Sequence, residues 1–279
     1  MHPIVNEIRN ALREHYPDSE ALALAKMLLV EAFGFSTLEL YGGKDKEISG
    51  KRLDVLNEMI ARLKKNEPIQ YVIGAEVFCG WTFEVNENVL IPRPETQELV
   101  RWIEADWKSD APCRILDVGT GSGCIAISLS KLLEGAEVEA WDISEGALRV
   151  ARRNADRNEA QVLFRRVDVL KACTEDCRYD VIVSNPPYIT ESEKQDMDAN
   201  VLEWEPHTAL FVPDADPLLF YRRIAELGVS MLNEGGALYF EINRAYGEET
   251  VRMLEGLGYK QIELRKDNWG NDRMIKANR

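Results

Sequence analysis

The sequence predicts an α/β fold: a mostly parallel sheet covered by helices on both faces, preceded by a small all-helical N-terminal domain and joined to it by a β-hairpin linker. Three observations carry this. From Cys113 onward, short apolar runs alternate with amphipathic segments of helical period, as in a parallel sheet whose crossovers are helices. Before Lys65 the apolar residues recur only at helical spacing. Between the two lie strand-like runs and then NVLIPRPETQELV, where Pro92 and Pro94 force an extended, stiff crossing. These shifts divide the chain into residues 1–70 (helical), 71–94 (hairpin linker) and 95–279 (α/β).

In PIVNEIRNALREHY, Ile4, Ile8, Ala11 and Leu12 fall on one helical face. Pro17 ends that segment, and Asp18 or Ser19 can cap the next, EALALAKMLLVEAFG. Lys51 to Lys65 places Leu53, Leu56, Ile60 and Leu63 together. From Tyr71 to Val85 two short strands turn near Cys79-Gly80, and a helix starts at Glu95. CRILDV, VEAWD, VLFRRVD, YDVIVS and GALYFEI are the predicted sheet strands. SGCIAISLSKLL, SEGALRVARRNADRN, PLLFYRRIAELGVSML and EETVRMLEGLG are the intervening helices, and KQIELRKD and DRMIKAN close as a hairpin.

Composition narrows the function. The net charge of -14 disfavours a broad phosphate-tracking surface, because nucleic-acid affinity rests on Lys and Arg. The N-terminus lacks the apolar stretch of a secretory signal, and no run is long enough to span a membrane. The five cysteines and three histidines make no metal pattern, so no metal is expected and the thiols read as reduced and cytoplasmic.

The first sheet strand runs into Asp117-Val118-Gly119-Thr120-Gly121-Ser122-Gly123. Glycine allows a tight strand-to-helix turn and close approach of a ligand to the backbone. The spacing is not the G-x-G-x-x-G of dinucleotide folds, and no Walker lysine follows, which disfavours NAD and ATP. The next strand ends in Asp142, placed to accept both hydroxyls of a ribose, and the third ends at Asp168, a candidate for an adenine edge. Together these strand ends point to an adenosine-containing cofactor.

The fourth strand delivers Asn185-Pro186-Pro187-Tyr188 to the same edge. Asn185 offers a side-chain acceptor. Pro187 restricts Pro186 to extended backbone, so the carbonyls of Asn185 and Pro186 can be held outward. Two acceptors of this kind fit an NH2 group, and Tyr188 adds a flat face for a planar substrate. The implied substrate is a carboxamide or the exocyclic amine of a base.

Residues 113 to 191 resemble a class I S-adenosylmethionine-dependent methyltransferase, with its Rossmann-like sheet and amino-methylating Asn-Pro-Pro-Tyr signature. Nearly the whole chain resembles the bacterial protein-(glutamine-N5) methyltransferases that modify peptide chain release factors. The supporting segments are PIQYVIGAEVFCGWTFEVNENVLIPRPETQELV, ILDVGTGSGCIAISLS, WDISEGALRVARRNADRN, SNPPYI, WEPHTALF and GNDRMIKA. Ile91-Pro92-Arg93-Pro94-Glu95-Thr96 is the segment most particular to that group. The resemblance implies S-adenosyl-L-methionine as cofactor, S-adenosyl-L-homocysteine as product, and the glutamine of the Gly-Gly-Gln loop of class 1 release factors as substrate, with the helical domain as the docking surface. It implies that Gly119, Thr120, Gly121, Ser122 and Gly123 wrap the methionine and ribose, that Asp142 binds the ribose, and that Asp168 and Val169 flank the adenine. Asn185 and Pro186 would hold the amide, with Pro187 and Tyr188 beside it. The chain carries Val169 where members of the family can carry an aromatic residue, and Tyr246 where they often carry Gln. A ribosomal-protein glutamine methyltransferase, an adenine-N6 methyltransferase and a non-catalytic cofactor-binding module are the alternative readings.

Overall fold

Apolar runs near the middle and end of the chain become strands because each alternates its side chains between two buried faces. The computed structural model describes every residue except 43–46, 109–110 and 174–176, with the backbone alone at Asp196. The described residues fall into two compact units, Met1–Ala75 with Asp198–Trp204, and Glu76–Met197 with Glu205–Arg279.

In the first unit, helices span Pro3–Leu12, Asp18–Met27, Thr37–Tyr41, Lys51–Leu63 and Ile69–Ile73, and one π-helical turn covers Leu28–Ala32. Their inward faces meet in a core of Ile4, Val5, Ile8, Leu12, Leu28, Leu29, Leu56 and Leu63. Three expectations need correction. Leu53 is 40% exposed, so the helix from Lys51 buries only Leu56 and Leu63. Neither Asp18 nor Ser19 caps the second helix: it starts at Asp18, whose carboxylate is drawn instead to Arg9 Nε at 2.8 Å. Tyr71 lies in a helical turn, not a strand, and Gly74 ends that turn at φ 80°. The sequence reading also missed that Ala199–Trp204 is helical and belongs to this unit, where Trp204 Nε1 donates to the Lys65 carbonyl at 3.2 Å.

The larger unit opens with the predicted hairpin, β1 (Ala75–Phe78) and β2 (Trp81–Glu84), turning through Cys79 and Gly80 at φ 51° and 92°. Positive φ at both turn residues matches the twist of the flanking strands. The hairpin is not a free linker, because Phe78 and Phe83 are fully buried in the core beside Leu99 and Trp102. There follow β3 (Arg114–Val118), β4 (Glu137–Asp142), β5 (Val162–Arg166), β6 (Tyr179–Ser184), β7 (Ile189–Thr190), β8 (Phe211–Val212), β9 (Leu232–Glu241), β10 (Lys260–Lys266) and β11 (Asp272–Asn278). β7 and β8 form a small parallel pair. The rest make one sheet in the order β10-β11-β9-β6-β3-β4-β5, parallel from β9 to β5, with β11 antiparallel to β9 and β10 to β11.

Period-2 alternation fills both faces. Ile115, Val181, Val183 and Tyr239 join helices Pro94–Trp107 and Cys124–Leu132 on one side. Leu116, Ile182, Leu238 and Phe240 join helix Leu219–Met231 on the other. Among the described residues no helix is long and apolar enough to cross a membrane.

One buried amide ties this architecture to the loop that follows β3. Asn154, on helix Glu145–Arg157, accepts from the Glu84 amide at 2.6 Å and donates to the carbonyls of Glu84 at 3.0 Å and Ser122 at 2.9 Å. Beside it the exposed Arg153 grips the Glu84 carboxylate. Asn154→Ala strands buried backbone groups and is expected to cost about 2–3 kcal/mol of unfolding free energy. Arg153→Ala, which breaks only a solvated ion pair, should cost under about 1 kcal/mol. Denaturant unfolding of the two variants checks the ranking, and equal losses would remove the assigned role of Asn154.

Candidate functional site

β3 and β6 lie side by side with Val118 opposite Ser184, and Ser184 Oγ donates to the Val118 carbonyl at 2.6 Å. From β3 the chain winds outward through β4 and β5, then returns to place β6 on the other side of β3. Strand order reverses at this point, and ligands of such sheets bind beyond the strand ends there. A cavity of about 400 Å³ occupies that position, walled by the turns after β3, β4, β5 and β6.

The loop after β3 is bound to β4 through its backbone. The amides of Gly119 and Thr120 both donate to the Trp141 carbonyl, at 2.8 and 2.9 Å. Gly119 and Gly121 have φ of 78° and 56°, and a Cβ on either would meet nothing within 4 Å. They leave bare backbone at the cavity, alongside Thr120 and Ser122. Gly123 differs from this expectation. It does not line the cavity; a Cβ there would press Ile127 Cδ1 at 3.0 Å and Ala151 Cβ at 3.2 Å, so it serves helix packing.

Beneath the loop, Asp117 is fully buried. Its Oδ2 accepts from Thr120 Oγ1 at 2.6 Å and the Ala126 amide at 3.2 Å, while Oδ1 has no partner among the described residues. Desolvation pushes its carboxyl up to about 7. Asp117 braces the loop and does not line the cavity.

Asp142 does line it. Its two oxygens accept one amide each, Gly121 at 2.9 Å and Ser144 at 2.8 Å. Burial pushes its pKa up, and these amides oppose the shift. A carboxylate has about four lone-pair sites, so the two oxygens retain capacity for a pair of hydroxyls. Asp168 and Val169 also line the cavity. Part of the Asp168 carboxylate is used locally, accepting from the Leu170 amide at 3.1 Å and pairing with Lys171 at 2.9 Å.

Asn185, Pro186 and Pro187 follow β6 directly and form another wall. Tyr188 does not: it is absent from the lining and packs toward the core, with its hydroxyl donating to Glu241 Oε1 at 3.2 Å. The expected stacking face is therefore a support beneath the turn. Asn185 Nδ2 donates to Thr96 Oγ1 at 3.3 Å, and Thr96 Oγ1 donates to the buried Glu241 Oε2 at 2.6 Å.

The sequence reading assigned no role to the rest of the lining. Val89, Pro92 and Arg93 come from the segment before helix Pro94–Trp107, Thr96 from its first turn, and Pro206, Thr208 and Phe211 from the stretch entering β8. Buried Glu205 joins these two walls by accepting from the Ile91 amide at 3.1 Å and pairing with Arg93. The signal was present in Ile91-Pro92-Arg93-Pro94-Glu95-Thr96, whose two prolines pre-set an extended approach, but only the fold shows what it faces. The five cysteines are free thiols, and among the described residues no group of three His, Cys, Asp or Glu side chains is placed to hold a metal.

The family model described as Methyltransferase small domain matches residues 95–204, and the PrmC N-terminal domain matches residues 4–74. The chain is 53% identical over 280 residues, and over the whole of both chains, to the release factor glutamine methyltransferase of Bacteroides thetaiotaomicron. It is 47% identical over 255 residues to that of Flavobacterium psychrophilum, with 90% of each covered. In fold alone it is similar to the crystal structure of a methyltransferase from Pyrococcus furiosus, with a TM-score of 0.54 and 19% identity over 80% of this chain and 98% of the other.

The buried Asp117 carries a pH signature. Its folded pKa is raised from 3.8 to about 7, so between those values the native state holds a proton that the unfolded chain has lost. Stability from this group therefore falls as pH rises through that window. At 1.36 kcal/mol per unit the loss is on the order of 4 kcal/mol. Asp117→Asn keeps an acceptor for Thr120 and Ala126 and cannot ionise. It should flatten the decline in stability across that window relative to the parent, as read by denaturant titrations at several pH values. An unchanged slope would show that Asp117 is ionised in the fold.

Proposed function

The chain belongs to the release factor glutamine methyltransferase family and is an enzyme, and from that premise we propose the finer reaction. It transfers one methyl group from S-adenosyl-L-methionine to the N5 amide nitrogen of the glutamine in the Gly-Gly-Gln motif of class 1 peptide chain release factors, with S-adenosyl-L-homocysteine as coproduct. The observation that carries the reading is that Asn185, Pro186 and Pro187 share one cavity with the bare glycine loop and Asp142.

The residues present fit such a cofactor. Gly119 and Gly121 leave room for a ligand against backbone, and Asp142 keeps free lone pairs. Asp142 would accept the ribose hydroxyls, Gly119 to Ser122 would border the methionine portion, and Asp168 and Val169 would border the base. The cofactor's chemistry is an electrophilic methyl group. The protein's part is at the nitrogen. An amide nitrogen is a poor nucleophile because its lone pair is delocalised, as the peptide rotation barrier of ~18–20 kcal/mol shows. Asn185 Oδ1 and the Pro186 carbonyl would each accept one N–H. Both acceptors gain strength as positive charge builds on nitrogen during attack, which is preorganised electrostatic stabilisation combined with positioning. No strong base is required, and the surplus proton passes to solvent after transfer.

The reading places the enzyme in the cytoplasm, where translation factors are. It assigns docking of the release factor to the helical unit, whose surface carries exposed Leu38, Tyr41 and Val55. The overall charge of -14 suits a protein substrate better than a nucleic acid.

Mass spectrometry of a release factor incubated with enzyme and cofactor is expected to show one added methyl group on the Gly-Gly-Gln glutamine. None should appear when that glutamine is changed to glutamate. A methylated adenine or ribosomal protein, with the release factor unmodified, would overturn the substrate while leaving the methyltransferase chemistry. Asn185→Ala removes one of the two acceptors and should lower the single-turnover rate by about 10²–10³ while cofactor affinity largely persists. A variant that keeps most of the parent rate would reduce Asn185 to a structural cap.

A further inference from the structure

The Asn185 carboxamide has two ends of nearly equal shape and opposite chemistry: the oxygen only accepts, and the nitrogen only donates. Turned the wrong way, it would confront the substrate's NH2 with two more donors. The chain carries a device that selects the end. Asn185 Nδ2 donates to Thr96 Oγ1 at 3.3 Å. Thr96 has a single hydroxyl proton, and that proton is committed to Glu241 Oε2 at 2.6 Å. An ionised carboxylate has no proton to return, so Thr96 can only accept from Asn185. Turned round, Oδ1 would compete with Glu241 for that one proton, and a buried acceptor would be left unsatisfied.

Each member of this relay is held in place. Ser184 pairs with Phe240, so Asn185 and Glu241 leave their neighbouring strands at the same level. Thr96 is 2% exposed on the first turns of helix Pro94–Trp107, and Glu241 is 1% exposed with its second oxygen receiving the Tyr188 hydroxyl at 3.2 Å. We propose that Thr96 and Glu241 are positioning residues that fix the Asn185 carboxamide with its oxygen toward the reacting nitrogen. This rests on the function proposed above. It gives a task to the last residue of Ile91-Pro92-Arg93-Pro94-Glu95-Thr96.

The relay works in one direction only while Glu241 is ionised. Its surroundings are Arg273 from β11, Tyr188 and Tyr221, Thr96, and Glu95 on the same helix. Burial raises its pKa, Glu95 adds to the rise, and Arg273 with the Thr96 and Tyr188 hydroxyls opposes it. Once protonated, Glu241 donates to Thr96, whose own proton is then released toward Asn185, and the selection is lost. Turnover therefore declines as pH falls through the Glu241 pKa.

The test uses the full-length enzyme, S-adenosyl-L-methionine and an intact release factor. Thr96→Val keeps the shape and removes the hydroxyl. It should lower kcat roughly 10- to 100-fold with a smaller change in KM and in cofactor affinity, and Thr96→Ser should restore most of the rate. Glu241→Gln should be slow at every pH and lack the acidic decline of the parent. Thr96→Val retaining kcat to within about threefold of the parent would overturn the relay, as would a Thr96→Ser variant as slow as Thr96→Val, which would assign the loss to packing of the methyl group. Should Thr96→Val not fold, Glu241→Gln decides, and a parent-like acidic decline in that variant would overturn the relay. A parent enzyme that leaves the release factor unmodified would sink the substrate reading instead.

Discussion

The parallel pairing of β3 with β6 is the constraint on which the site depends. Val118 and Ser184 are the last residues of their strands, they face each other in register, and the Ser184 hydroxyl bonds the Val118 carbonyl. Each functional turn begins one residue later, Gly119 on one strand and Asn185 on the other. A slip of one residue would exchange the buried faces of the strand and carry its turn to the wrong height. The alternating side chains of β6, with Val181 and Val183 on one face and Ile182 on the other, resist that slip because each face is buried in its own core. Core packing and site geometry are thus one specification.

Three carboxylates sit near this junction, and burial raises the pKa of each. Their partners decide what each contributes. Asp117 is enclosed by a hydroxyl and an amide and shapes the loop from beneath. Asp142 receives two backbone amides and still borders the cavity, which suits it to bind hydroxyls. Glu241 receives two side-chain hydroxyls, from Thr96 and Tyr188, and acts through them. Desolvation is common to all three; the hydrogen-bond partners are what separate a brace, a ligand contact and a positioning group.

The larger unit was legible where pattern is local. β3, β4, β6 and the closing hairpin followed from apolar runs between turn residues, and Gly119 and Gly121 followed from the glycine spacing after a strand. Local pattern was weaker where burial was incomplete or the elements short. Leu53 has the spacing of a core residue but remains 40% exposed, because helical period names a face without saying how wide the contact is. The two-residue strands β7 and β8 have no period to detect. Tyr188 read as a stacking platform from its place in the motif, whereas its hydroxyl is held by Glu241.

What the sequence determined by itself was the fold class, the identity of the strand ends and the chemical character of the residues there, since each depends on neighbours within a few positions. Only the tertiary structure decided which distant residues meet. The bond of Thr96 to Glu241 spans 145 positions, and the bond of Asn185 to Thr96 spans 89. The Ile91 contact with Glu205 crosses 114. None has a local signature, because a threonine or glutamate reads alike whether it is solvated or bonded. Chain folding alone removes the water, and a buried polar group must then find its partner within the protein.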